Sequence, residues 1–251
     1  MNSRFLKTVA IILNSTQFGE GHKLVRLYTE SLGRTEASAF GARKTKSRFG
    51  SRLEPFTEGI VLLYRKGETS PYAIRDIDVT HHNDAIRGEL DKFLIGTACI
   101  ETVIRYVERE HHDFELFRVL SDTLQALNSV PSEKSVYLLS MYDIKFLSIM
   151  GYRPDMERCA KCSTLIQNSE VYSDSVSGFP LCKGCCISSS GPVETGALRF
   201  IEWAFNSSIP QAGKVTMQRT TLQQVRQIIE HLYLCTFQKV PESWHQLQTL
   251  V

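Results

Sequence analysis

The 251-residue sequence has no run of apolar residues near the ~18 that a bilayer-crossing helix needs, so a membrane span is excluded. It has no P-loop pattern (GxxxxGK followed by Ser or Thr), no GxSxG and no HExxH, and it pairs no nucleophile with a recognisable base. Internal repeats, heptad arrays and low-complexity tracts are also missing. No Asp or Glu interrupts the densest basic stretch until Glu54. Metal-dependent phosphodiester cleavage generally needs carboxylate ligands, so this gap speaks against a nuclease there. These absences leave a binding protein as the first expectation and an enzyme as a weak one.

The chain does have charge in one place. Arg43, Lys44, Lys46, Arg48 and Arg52 fall within ten residues, spaced by small or polar residues and one aromatic, Phe49. The net charge is only +2, but residues 1–80 carry 13 Lys and Arg against 8 Asp and Glu. A charge run is often just a solvated face. This one is dense, lacks local acids and lies between two apolar runs that read as strands. Such a loop concentrates polyanions, and Arg and Lys pair with phosphates, so nucleic acid is the expected partner. The alternative is a scaffold whose basic loop recognises an acidic protein segment.

Apolar (42%) and charged (22%) contents are those of an ordinary globular chain, long enough for two modest domains. In the opening MNSRFLKTVAIILNSTQFG the apolar heart is short and polar residues follow at once, so it reads as a strand, not a leader. Period-two alternation predicts five strands over residues 4–14, 22–30, 34–42, 58–67 and 72–81, closed by Gly-bearing turns. Five short strands of this spacing suit a small antiparallel barrel of the oligonucleotide-binding (OB-fold) kind. Such barrels hold single strands through cationic grooves and stacked aromatics. Tyr28, Phe40 and Phe49 are the nearby aromatics, each expected in the core.

From Asn83, a plausible cap, the period becomes helical. One helix is predicted from there through Ile104, a second over Phe114–Leu127 and a third from after Glu133 to about Met150. A fourth follows Pro192, and a fifth carries Leu222 to Phe237. The expected organisation is a barrel domain over 1–80 and an all-α helical domain over 81–251, with a cysteine-bearing insert at about 156–187.

Cys159 and Cys162 form one CxxC pair and Cys182 and Cys185 another, with nineteen residues between them. Two such turns can place four thiolates around one tetrahedral Zn²⁺, and the spacer suits a small hairpin. A redox role would need one pair at a helix start in a βαβ context, which neither has. Closed four-thiolate coordination leaves no position for water, so the ion's role is structural: the insert has too little apolar content to hold a shape without it. Cys186 stands as an alternative fourth ligand, and the two-residue gap favours Cys185. Cys99 and Cys235 read as buried helical thiols. Seven cysteines used this way suit a reducing compartment, and the cytoplasm is expected.

These residues together resemble the bacterial RecO family of recombination mediators. The resemblance rests on Gly19-Glu20, the Leu24–Thr29 strand, Leu32-Gly33-Arg34, Gly41-Ala42-Arg43-Lys44 with Ser47-Arg48, and Leu53-Glu54-Pro55-Phe56. It continues through Gly151-Tyr152 with Pro154 and the two cysteine pairs. It implies an N-terminal OB-fold, a helical domain with a zinc knot, and binding and annealing of single- and double-stranded DNA. It implies loading of RecA recombinase with RecR, and sometimes RecF, and contact with the acidic tail of the single-strand binding protein. By this likeness Arg43, Lys44, Lys46, Arg48 and Arg52 are the expected backbone contacts, with Arg34 next.

Overall fold

The computed structural model describes residues 5–166, 170–188 and 190–247. Arg4, the first residue of the expected opening strand, lies outside them, as do 167–169 of the cysteine insert. The chain divides into two compact units, Met1–Gly96 with Ile100–Ser129, and Thr97–Cys99 with Val130–Val251.

The first unit is built on five strands: β1 (Phe5–Phe18), β2 (His22–Thr29), β3 (Gly33–Ala39), β4 (Glu58–Tyr64) and β5 (Tyr72–His81). They close into a barrel in the order β1-β2-β3-β5-β4, with β3 and β5 parallel and the other pairs antiparallel. This is the five-stranded OB-fold barrel. Alternation sets which side chains enter it: in β3, Thr35, Ala37 and Ala39 are buried, while Arg34, Glu36 and Ser38 face outward. The core joins Ala10, Ile12, Val25, Leu27, Val61, Leu63, Ile74 and Ile77, and the segment after β3 adds Ala42, Phe49 and Leu53.

The helix expected as one piece from Asn83 is broken. α1 (Asp84–Gly88) and α2 (Leu90–Tyr106) flank Glu89, whose backbone is extended. Gly88 weakens the helix at the break, and Arg87 ties its first turn elsewhere: Nη1 donates to the His82 carbonyl at 2.6 Å and Nη2 to Thr57 Oγ1 at 2.7 Å. Leu90, the first residue of α2, is exposed. Asn83 precedes α1 but does not cap it with its side chain; it sits left-handed at φ 54° and donates to the Phe56 carbonyl at 2.9 Å. α3 (Phe114–Ser129) buries Leu116, Phe117, Leu120, Leu124 and Leu127 on one face.

In the second unit α4 (Ser135–Ile149) is buried on nearly every side and packs against α5 (Thr195–Asn206) and α6 (Arg219–Phe237). Its fully buried Asp143 accepts from Arg226 Nη1 at 2.5 Å and from the Tyr233 hydroxyl at 3.1 Å. Burial pushes this carboxyl up, and Arg226 opposes that, so the acid is held as a partnered group. The insert adds β6 (Val171–Ser173) and β7 (Pro180–Cys182), the expected hairpin, plus β8 (Gly191–Val193) on the free edge of β6. A short α7 (Trp244–Leu247) follows. Cys99 is buried as expected, whereas Cys235 is exposed, its thiol donating to the Val176 carbonyl at 3.1 Å. No helix among the described residues is long and apolar enough to cross a membrane.

Candidate nucleic-acid interface and metal centre

The basic segment leaves β3 at Phe40 and returns to β4 at Glu58. Its path is a series of turns pinned from inside and out. Inside, Ala42, Phe49 and Leu53 are sunk into the barrel core, Phe49 and Leu53 almost completely. Outside, the Arg43 amide donates to the Gly21 carbonyl at 3.2 Å, and the Gly41 amide to His22 Nδ1 at 2.9 Å. The loop thus leans on the β1–β2 turn. Gly41 and Gly50 have φ of 75° and 51°, conformations a side chain would strain.

This anchoring leaves the cations outside. Arg43, Lys44, Lys46 and Arg48 are all exposed. Among the described residues, no carboxylate pairs with any of the four, and Arg48 lies 4.9 Å from the centre of the Phe49 ring. Arg52 differs. It is half-buried; Nε donates to the Phe49 carbonyl at 3.2 Å and Nη1 to the Ile77 carbonyl at 2.8 Å, with Asp76 at 3.6 Å. Two of its three nitrogens brace the loop's return. Arg34 sits outward at the start of β3, half-buried, and its pKa is lowered first by burial and then by the nearby Arg109. Tyr28 and Phe49 are both buried as expected, Phe49 in the barrel core and Tyr28 on the outer row of β2, where its ring lies 6.1 Å from that of Phe117 of α3. Phe40 is not: it is 56% exposed and meets His22 edge-on, ring centres 5.1 Å apart. Strand parity was the signal for this, since Phe40 follows Ser38 and Glu36 on the outer row. The contribution of His22 as the loop's acceptor had no sequence signal.

The four cysteines converge. The Sγ atoms of Cys159, Cys162, Cys182 and Cys185 all lie within 4.8 Å of one another, and those of Cys162 and Cys182 are 3.7 Å apart. A tetrahedron with metal–sulfur bonds of about 2.3 Å has sulfur–sulfur edges of about 3.8 Å, so the donor set fits a four-thiolate ion after slight contraction. Each pair sits on a tight turn: the Ser163 amide donates to the Cys159 carbonyl at 2.8 Å, and the Cys185 amide to the Cys182 carbonyl at 3.0 Å. Cys186 points away, donating to the Lys183 carbonyl at 3.1 Å, which leaves Cys185 as the fourth member. Burial acts to raise the Cys159 pKa, but backbone N–H groups of Cys182, Cys162 and Lys161 bring it down to about 6. Cys185, hydrogen-bonded by Cys162 and then Cys182, is pushed up to about 12. Four sulfurs this close ionise together only around a cation, which is the chemistry of a metal site.

Two family models match the chain: recombination protein O N terminal over residues 1–82, and recombination protein O C terminal over residues 87–245. Among its relatives, the DNA repair protein RecO of Caldanaerobacter subterraneus subsp. tengcongensis is 33% identical over 182 residues, 72% of each chain. That of Desulfatibacillum aliphaticivorans is 24% identical over 249 residues, covering 97% of this chain and 96% of the relative. A third, from a Nocardioides species, is 32% identical over 222 residues, 85% of this chain and 89% of the relative.

Proposed function

The chain belongs to the recombination protein O (RecO) family, and from that premise we propose that it is a non-enzymatic DNA repair and recombination mediator. It binds single- and double-stranded DNA, anneals complementary strands and helps load RecA recombinase onto strands coated by the single-strand binding protein. It acts in the cytoplasm, at the nucleoid. RecR, the acidic tail of the single-strand binding protein and in some settings RecF are its protein partners. Residues 1–80 serve as the DNA-binding domain and 81–251 as the partner-docking helical domain.

The observation that carries this reading is the set of four exposed cations, Arg43, Lys44, Lys46 and Arg48, on a loop fixed to the barrel. Cations on a fixed backbone, with no carboxylate partner among the described residues, are available to phosphates, and the loop itself needs no reordering on binding. Contacts of this kind carry no base information, so strands of any sequence can be held and brought together. Arg34 adds a further contact, and Arg52 holds the loop while offering its remaining Nη2. In the insert, Cys159, Cys162, Cys182 and Cys185 hold one structural Zn²⁺, which supplies folding energy and no reaction step.

A strand-annealing assay tests the proposal, run on complementary oligonucleotides with and without a coating single-strand binding protein. Acceleration that persists on coated strands is the expected result. Absence of acceleration on both bare and coated strands contradicts it.

A further inference from the structure

We propose that Arg26, Arg34 and Arg109 form a second phosphate-binding station on the outer face of β2 and β3, with Glu36 as the carboxylate that holds it partly neutralised. The proposal rests on the DNA-binding reading above and extends it to residues outside the basic loop.

The station is built, not scattered. Cross-strand register sets Arg26 opposite Glu36 and Tyr28 opposite Arg34. Arg26 Nε meets Glu36 Oε1 at 2.9 Å, and Arg109 Nη2 meets Glu36 Oε2 at 3.0 Å. Arg109 arrives from the segment after α2, and its backbone is locked in place. Arg34 and Arg109 form a parallel bridge, and the Glu110 amide donates to the Arg34 carbonyl at 3.1 Å. The fit is close enough that a Cβ on Gly33, itself at φ 68°, would sit 2.0 Å from the His111 carbonyl oxygen. The carboxylates Glu108 and Glu110 flank Arg109 in sequence, yet the charges that act on Arg34 are Arg109, Glu36 and Arg26. One carboxylate therefore stands among three guanidiniums.

Arg34 is the unsatisfied member. Its Nε is buried without a hydrogen-bond partner, a donor that an incoming phosphate oxygen could engage by drawing the guanidinium outward. Arg26 and Arg109 remain accessible, their side chains 41% and 68% exposed. The station also lies on a path. Arg34, Glu36 and Ser38 share the outer row of β3 and Phe40 follows the strand's end, and six residues at ~3.3 Å each put Arg34 about 20 Å from Phe40, where the basic loop begins. A single strand laid along this row would meet a cation cluster at one end, an exposed ring near the other and the loop beyond it. That is the arrangement by which barrels of this type hold several nucleotides.

Salt titrations of oligonucleotide binding test this with dT homopolymer, comparing wild type, the loop variant R43A/K44A/K46A/R48A, the station variant R26A/R109A, and E36Q. Removing two contacts should flatten the log–log salt slope by roughly 1.4, at ~0.7 per phosphate. E36Q, which frees two arginines, should bind several-fold tighter, a gain that misfolding does not produce. If R26A/R109A keeps the wild-type slope, or E36Q binds no tighter, the station is overturned while the loop reading stands. If wild type itself shows no salt slope, the DNA-binding reading falls first. Should R26A/R109A fail to fold, E36Q alone decides.

Discussion

The cationic loop and the cysteine insert are both irregular segments of the same chain, and they keep their shapes by opposite means. The loop borrows from the barrel: Ala42, Phe49 and Leu53 are buried in an apolar core made by five strands, and its polar side chains stay outside. The insert borrows less: Met156, Ile166, Val171 and Leu181 are buried, but Val176, Leu165 and Ile187 are exposed, and its strands are three residues long. Its two turns meet where four sulfurs come together. A segment anchored by apolar side chains can offer its charges to a partner. A segment anchored by its own functional groups has used them on folding.

Chelation should separate the two most sharply. Structural Zn²⁺ contributes about 10–16 kcal/mol in small thiolate sites, so removing it should unfold the insert. Hydrogen exchange over residues 170–186 should accelerate to the unfolded rate, while exchange in the barrel strands and the salt dependence of DNA binding stay as they were. Thiol titration should find the four cysteines silent until the chelator is added. Barrel loss on chelation, or an insert still protected, would erase the contrast.

Next in size is Phe49→Ala. Deleting a fully buried aromatic typically costs about 3–5 kcal/mol, and here the loss should appear in denaturant unfolding of the barrel together with weaker DNA binding. The two should fall together because one ring serves core and loop. Smaller still is Phe40→Ala. Its ring is 56% exposed, so stability should hardly change, while single-strand affinity falls by about 1–3 kcal/mol if a base stacks there. Fluorescence anisotropy with a labelled oligonucleotide reads this directly.

Much of this contrast was legible in the residues. Alternation and glycine turns gave the five strands, the CxxC spacing gave the cysteine cluster, and charge density gave the loop. The rest depended on contacts distant in sequence. The break at Glu89 follows from Arg87 reaching back to Thr57, and Asn83 turns from its cap position to the Phe56 carbonyl. Arg52 looked like its neighbours until the Ile77 carbonyl was seen to hold it. Arg109 carried no local mark at all, because only the bridge of its backbone to Arg34 and the packing of the following His111 on Gly33 bring it to Glu36. Local pattern reports which face a residue occupies. It does not report which distant group will claim it.

The most direct measurement compares the salt dependence of single-strand binding in wild type and in R43A/K44A/K46A/R48A. If the loop neutralises 4 or 5 phosphates, the wild-type log–log slope has a contribution of roughly −3 from it at ~−0.7 per contact, and the quadruple variant should lose most of that contribution while unfolding at the same denaturant concentration. A folded variant that keeps the wild-type slope and the wild-type affinity at low salt would contradict the account.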